Sequence, residues 1–339
     1  MFSMLAGQAL EKEPAASDLY LFPGQPPSVK VNGQVNKLTD LNVVTEEMVS
    51  QIARSEMSKR GIVPREDGPP PDSLDVSITT TGGIRWRVNI YRCGRTWRMV
   101  GRRLSESPPT LAELGFGGKE NIFAHPAGLV IIAGPPGAGK STTMAAAASH
   151  LLSTQPVHLV SAEEPIEYLI PPGLGIVSQR EVGTDCKDFN AALEDALRQT
   201  PKIIILGEMR DPESAATALR AAETGQLVLT TVHAHDLEEA VSRIVDLFSG
   251  QEAERIRRQL AATLRLLIVQ RLVQRTDGGV KMIFEGVTGS VAVLKIIREG
   301  RERELKNEAK GHGYEPIEKQ LQVMVAMGEI LELELERVK

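Results

Sequence analysis

The chain has 339 residues, 42% hydrophobic and 24% charged, an ordinary balance for a globular protein with length enough for two domains. A formal net charge of −5 argues against a broad basic surface for nucleic acid, and 4% aromatic residues imply a mainly aliphatic core. Two distant cysteines, Cys93 and Cys186, argue against a zinc site or disulfide scaffold and fit a reducing cytosol, and no apolar run approaches the ~20 residues of a membrane span.

Residues 1–16 read as a loose N-terminal arm without the basic start of a signal peptide. From Ser17, short extended pieces follow, with Asn32-Gly33 as a hairpin turn. VTEEMVSQIARSEMSKRG (44–61) is predicted helical, with Gly61 as its stop. PREDGPPPD (64–72) is a proline-rich surface loop, and SLDVSITTTGGIRWRVNIYRCGRTWRMVGRRL reads as strands joined by glycine turns. Residues 17–104 thus form a small α/β domain, 105–112 a linker containing SESPPT, and 113–339 a second domain.

The second domain alternates strand and helix. LVIIAG (129–134) is a buried strand, STTMAAAASHLL a helix, VHLVSAEEP (157–165) a strand, FNAALEDALRQT (189–200) a helix and KIIILGE (202–208) a strand. DPESAATALRAAETG (211–225) is a helix capped by Asp211 and Pro212, followed by the strand QLVLTTVH (226–233). This order implies a largely parallel, helix-covered sheet whose C-terminal strand ends line one ligand-binding edge. In EAERIRRQLAATLRLLIVQRLV, the spacing of Ile256, Leu260, Leu264, Leu267 and Ile268 predicts an amphipathic helix. TDGGVKMIFEGVTG reads as a hairpin around Gly278-Gly279, and 291–339 as charged helices.

GPPGAGKST (134–142) fits the pattern G-x-x-x-x-G-K-[ST] between its strand and helix. Glycines let the backbone wrap phosphate oxygens with its N–H groups, and the following helix presents its positive end to the same anion. The candidate nucleotide-binding set is therefore Gly134, Gly137, Ala138, Gly139, Lys140, Ser141 and Thr142, with Lys140 on the β- and γ-phosphates and the Ser141 hydroxyl on Mg²⁺. Glu208, at the end of KIIILGE, can orient or deprotonate the attacking water, or hold Mg²⁺ through water. In VSAEEPIEY, Glu163 serves either the metal and water or an intersubunit ion network. His233, closing TTVH, is either structural or a sensor of the γ-phosphate. In RWRVNIYRCGRTWRMVGRR, the arginines Arg85, Arg87 and Arg102 belong either to a solvated basic face or to arginine fingers that reach a neighbour's nucleotide.

With these motifs in order, the chain resembles the type II/type IV secretion ATPases and, among them, the type IV pilus retraction ATPases. The likeness runs over about residues 17–300: SDLYL, GQPP, RWRVN, GPPGAGKSTT, EEPIEY, QREVGTD, LGEMRDPE, AAETGQLVLTTVH, RIVDLF and AVLKIIRE. It implies an α/β fold in which a small PAS-like domain precedes a RecA-like P-loop domain, assembled as a homohexameric ring that hydrolyses ATP with Mg²⁺. By that resemblance Glu208 is the Walker B glutamate, Glu163 the acidic-box glutamate and His233 the first histidine of the His box. Arg85, Arg87 and Arg102 fall where the family places nucleotide-contacting arginines at domain or subunit borders. The expected setting is the cytoplasmic side of the bacterial inner membrane, reached only through platform or secretion-complex partners, with no stable nucleic-acid binding.

Three departures from the family pattern are visible: Glu163-Glu164 where Glu-Asp is usual, Ser242 where a second histidine is expected unless His235 substitutes, and helices after about Arg301 that match poorly. Pilus assembly and type II relatives usually carry a tetracysteine zinc motif, which two cysteines cannot supply. A type IVB secretion or conjugation motor is the nearest rival reading. A RecA-like nucleic-acid motor and a non-hydrolysing nucleotide-binding scaffold are the alternatives from other classes.

Overall fold

The computed structural model describes residues 1–62, 72–311 and 314–336. The proline-rich loop expected at 64–72 lies, except for Asp72, outside the described residues. The chain folds as two compact units, one of Met1–Ser107 with Pro165–Leu169 and Gly183–Asp185, the other of the remainder.

The first unit begins with α1 (Phe2–Lys12), then β1 (Asp18–Leu21), β2 (Ser28–Val31), β3 (Gln34–Lys37) and α2 (Glu46–Lys59). β4 (Ser73–Thr79), β5 (Arg85–Cys93) and β6 (Thr96–Arg103) complete an antiparallel sheet in the order β3-β2-β1-β6-β5-β4. The Asn32-Gly33 turn joins β2 to β3 with positive φ at both residues, +50° and +83°, the backbone a tight hairpin demands.

Strict alternation along β5 makes this sheet two-faced. Trp86, Val88 and Ile90 are fully buried with Leu19, Val29 and Met99, and helices α1 and α2 complete that core. The loose arm expected at 1–16 is instead the helix α1, which buries Phe2, Leu5, Ala6 and Ala9. Those four sit at i, i+3, i+4 and i+7, the spacing of one helical face. No side chain caps its N-terminus, so the signal that usually marks a helix start is missing. The Phe2 ring meets Trp86 edge-on at 6.2 Å, and both close on Gly101, where a Cβ would lie 3.3 Å from Trp86 and 3.4 Å from Phe2.

The second unit contains β7 (Gly128–Gly134), α3 (Lys140–Thr154), β8 (His158–Glu163), β9 (Ile176–Glu181), α4 (Phe189–Arg198), β10 (Ile203–Leu206), α5 (Pro212–Glu223) and β11 (Leu227–His233). It continues with α6 (Leu237–Val245), α7 (Gly250–Thr263), β12 (Leu264–Gln274), β13 (Val280–Thr288), α8 (Val291–Glu299), α9 (Leu305–Gly311), α10 (Ile317–Ala326) and α11 (Leu333–Glu336). The strands form one seven-stranded sheet in the order β13-β12-β7-β11-β10-β8-β9. Neighbours are parallel except β12 and β13, the expected hairpin. Val130, Ile132, Ile205, Leu229 and Ile268 pack against α3. Leu129, Ile131, Ile204, Leu206 and Val228 pack on the opposite face against α4, α5, α6 and α7. Burial on both faces explains why these strands are nearly continuous apolar runs.

Two expectations need correction here. The amphipathic helix expected through LRLLIVQRLV stops at Thr263, and Leu264 onward is β12, inserted between β7 and β13. A run that is apolar at seven of ten positions satisfies the 3.6-residue period as readily as any other, so Leu264, Leu267 and Ile268 matched a helix without belonging to one. β9, parallel to β8 at the sheet edge, was not anticipated; its sequence, IVSQRE, is mostly polar and only half-buried.

The packing of α1 is directly testable. Phe2→Ala should destabilise the protein by about 3 kcal/mol, read by chemical denaturation, whereas a detached arm would leave the transition unmoved.

Candidate active site

Parallel strands that end on one edge, with side chains alternating between faces, bring selected residues to the α3 side. The register sets His233 opposite Gly134 and places Ser161, Thr231 and Gln270 on the same face as the α3-packed residues Leu159, Leu229 and Ile268. The loop from Gly134 to Lys140 spans this edge. Gly134 is needed for close approach, because a Cβ there would lie 2.6 Å from the Gln270 carbonyl oxygen. Gly139 is needed for conformation: it caps α3 with φ +81° in the left-handed region. Gly137, exposed at the loop's apex, shares that region at +76°. Ala138 between them is buried, and Ser141 and Thr142 are half-buried in the first turn of α3.

Lys140 is buried, and its ammonium is held by the Gly134 carbonyl at 2.9 Å, the Pro135 carbonyl at 3.1 Å and His233 Nδ1 at 3.2 Å. An ammonium only donates, so Nδ1 accepts and the ring proton is assigned to Nε2. Nε2 faces Glu208 Oε1 at 3.5 Å. Burial, reinforced by the positive charges of Lys140 and Arg243 and opposed by Glu208, holds the His233 imidazole below its ordinary pKa. The ring is therefore neutral at pH 7, as the Lys140 contact requires. The structure thus joins three of the predicted residues, Lys140, His233 and Glu208, in one polar chain at the mouth of the loop.

Glu163 ends β8, buried, and accepts from Ser161 Oγ at 2.6 Å and Gln179 Nε2 at 3.1 Å. Gly207, just before Glu208, runs close beside it: a Cβ on Gly207 would lie 3.4 Å from Glu163 Cα. Thr231 Oγ1 donates to the Gly207 carbonyl at 2.6 Å and so fixes the turn that presents Glu208. Glu164 pairs instead with Arg210, whose guanidinium lies over the Phe189 ring at 5.1 Å.

The three predicted arginines belong to the first unit. They lie on the polar face of its sheet, where Arg87 and Arg102 stand opposite one another on β5 and β6. Arg85 donates to the Ile166 carbonyl at 2.8 Å, Arg87 lies 3.6 Å from Glu167, and Arg102 donates to Asp18 at 3.1 Å. Arg87, Arg102, Asp18, Asp75, Glu167 and Tyr168 help line a cleft of about 390 Å³ in that unit. Ser242 is half-buried on α6; His235 is exposed and lines a separate cleft with Arg271 and Glu285.

Sequence reasoning missed Gln270, which is fully buried and donates from Nε2 to the Ala138 carbonyl at 2.7 Å. Its one signal was a lone amide inside an apolar run, hidden by the helical reading of that run. It also missed Ser161, Thr231 and Gln179, which set the positions of the two glutamates.

This arrangement has relatives. The sequence profile of the family described as type II/IV secretion system protein matches residues 77–328. The chain belongs to that family. It is 35% identical to the type IV pilus retraction ATPase PilT of Pseudomonas aeruginosa over 294 residues, 86% of this chain and 84% of that protein. A crystal structure of the pilus retraction motor PilT with bound ADP matches with a TM-score of 0.87 at 30% identity, over 99% of this chain and 96% of that one. The Legionella pneumophila ATPase DotB matches with a TM-score of 0.83 at 25% identity, over 99% and 95%. The fold is accordingly that of the PilT-like ATPases, an N-terminal domain followed by a RecA-like domain.

The lowered His233 pKa fixes the sign of a pH effect. The folded protein favours the neutral ring, so this contribution to stability is intact above the ordinary imidazole value and is lost as pH falls through the lowered one. A proton titration of His233, assigned with His233→Gln, should give a midpoint below the 6.5 of a free imidazole. Lys140→Ala should raise that midpoint, and Glu208→Gln should lower it further.

Proposed function

We propose that this chain is an ATPase whose hydrolysis cycle drives a type IV pilus, with pilus retraction as the first reading and a related type IV secretion or conjugation machine as the second. The observation that carries it is the chain Lys140–His233–Glu208 at the mouth of a phosphate-binding loop. The 35% identity to PilT supports the pilus reading, and the DotB likeness keeps the secretion reading in view.

ATP lies with its phosphates against the N–H groups of Gly137, Ala138, Gly139, Lys140, Ser141 and Thr142, at the positive end of the 15-residue helix α3. Lys140 exchanges its carbonyl partners for the β- and γ-phosphate oxygens. Neutral His233, released from Lys140, hydrogen-bonds the γ-phosphate and registers its loss. Glu208 orients the attacking water and accepts its proton. Glu163, held rigid by Ser161 and Gln179, adds negative charge beside that water.

Mg²⁺ fits the donors present. The half-buried Ser141 hydroxyl in the first turn of α3 and the Glu208 carboxylate are oxygen donors of the kind that Mg²⁺ takes. The Ser141 hydroxyl would bind it directly and Glu208 through water; when bound, the ion neutralises phosphate charge.

The reading extends to assembly. Arg85, Arg87 and Arg102 serve the nucleotide of a neighbouring copy in a homohexameric ring, exchanging present partners such as Glu167 and Asp18 for phosphate oxygens. Among the described residues no helix is long and apolar enough to cross a membrane. In this reading the ring meets the inner membrane, on its cytoplasmic side, through platform or secretion-complex proteins. The net charge of −5 gives no support to a nucleic-acid track.

Phosphate release should depend on Mg²⁺ and on oligomers, stop on chelation, and be indifferent to DNA. Lys140→Ala should lose nucleotide binding. Glu208→Gln should keep it while hydrolysis falls roughly 100-fold or more. A folded wild-type protein with no affinity for adenine nucleotides, or a Glu208→Gln variant that hydrolyses at the wild-type rate, would overturn the proposal.

A further inference from the structure

We propose that Gln270 is a positioning residue of the phosphate loop and sets the loop's affinity for nucleotide from the neighbouring strand. The inference rests on the nucleotide reading above. Gln270 lies within β12, the parallel neighbour of β7, with its side chain fully buried on the α3 side in line with Leu266 and Ile268. A buried amide there costs free energy unless both its ends are hydrogen-bonded. Nε2 donates to the Ala138 carbonyl at 2.7 Å, but among the described residues nothing donates to Oε1. A hydrophobe of the same shape would remove the unpaired Oε1 and withdraw one donor from the Ala138 carbonyl, so the two effects on stability oppose one another and stability alone does not account for the glutamine.

Its placement does. Strand β12 runs close to the loop at three successive points: a Cβ on Gly134 would lie 2.6 Å from the Gln270 carbonyl oxygen, the Gln270 amide donates to Ala138, and a Cβ on Gly139 would lie 3.7 Å from Leu272. The middle contact has a geometric consequence. A trans peptide is planar, with its C=O and N–H on opposite sides. Drawing the Ala138 carbonyl onto β12 therefore turns the N–H of Gly139 away from β12. Gly139 has a left-handed backbone that only a glycine adopts without strain, so its N–H would otherwise be free to swing. Gln270 touches no phosphate in this account; it acts by orienting a donor that does.

The test uses Gln270→Met in the full-length protein and a fluorescent ATP analogue with Mg²⁺. The Kd should rise about three- to tenfold, the equivalent of one hydrogen bond. The melting temperature without nucleotide should change little, because the unpaired Oε1 goes together with the donor to Ala138. Steady-state KM should rise by more than kcat falls. Val269→Ala, on the opposite face of the same strand, should lower the melting temperature and leave Kd unchanged when measured well below it. If Gln270→Met fails to fold, Gln270→Asn withdraws the donor while keeping an amide, and the same rise in Kd is expected. A Kd equal to wild type in whichever variant folds overturns the inference alone. A wild-type protein that does not bind the analogue overturns the nucleotide reading instead, and this inference with it.

Discussion

A buried ammonium is among the costliest groups a protein can hold, and the second unit is organised around one. Lys140 is bearable inside because acceptors, two carbonyls and an imidazole among them, receive its protons. Those acceptors come from separate places. Gly134 and Pro135 supply carbonyls because the chain leaves β7 and doubles back into α3, and His233 supplies Nδ1 because β11 is the parallel neighbour of β7 in a register that sets it beside Gly134. Parallel order is thus the condition for the site. A slip of one residue in β11 would send His233 to the opposite face and take the imidazole away from the lysine. The same contact selects the neutral imidazole, so packing and proton state are fixed together.

How much of this was legible in the sequence depended on whether the signal was local. The loop, its flanking strand and helix, and the Asp211-Pro212 helix start carry their information within a few residues, and all appear as read. β12 does not. LRLLIVQRLV is apolar at seven of ten positions because strands lie on both sides and helices on both faces, and such a run has no period to read. Misreading it also hid Gln270, since the meaning of a buried amide depends on what lies next to it in space. α1 failed differently: its apolar face is correctly spaced, but it is built of Phe, Leu and Ala with no cap, so nothing in the sequence marks where it starts. β9 is an edge strand whose half-exposed polar residues look like loop until β8 supplies the ladder.

The first unit shows one strand doing two jobs. Along β5 the even-numbered residues Trp86, Val88 and Ile90 make the core with α1 and α2, while Arg85, Arg87 and Asn89 face away from it. Cross-strand register then aligns Asp18, Arg102 and Arg87 on three successive strands. Arginine suits such a face because its charge persists at any physiological pH and its planar fork can exchange one carboxylate for another oxyanion. The partners seen here are a backbone carbonyl for Arg85 and carboxylates for Arg87 and Arg102.

The acidic doublet that departs from the family pattern is reconciled by the same alternation. Two adjacent glutamates both turned toward a triphosphate would repel it and each other. Glu163 and Glu164 do not share a destination. Glu163 is buried and fixed by Ser161 and Gln179, while the next residue is partly exposed and paired with Arg210. An aspartate at 164 would be one methylene shorter toward that guanidinium, so the extra length serves an ion pair outside the Lys140–His233–Glu208 chain. Partly exposed pairs of this kind contribute only about 0–1 kcal/mol. The change from Glu-Asp to Glu-Glu is therefore nearly neutral for stability and leaves the inner carboxylate where the sheet edge places it. Ser242 is a comparable case. It lies half-buried on α6, next to Arg243, which pairs with Glu239 at 2.8 Å.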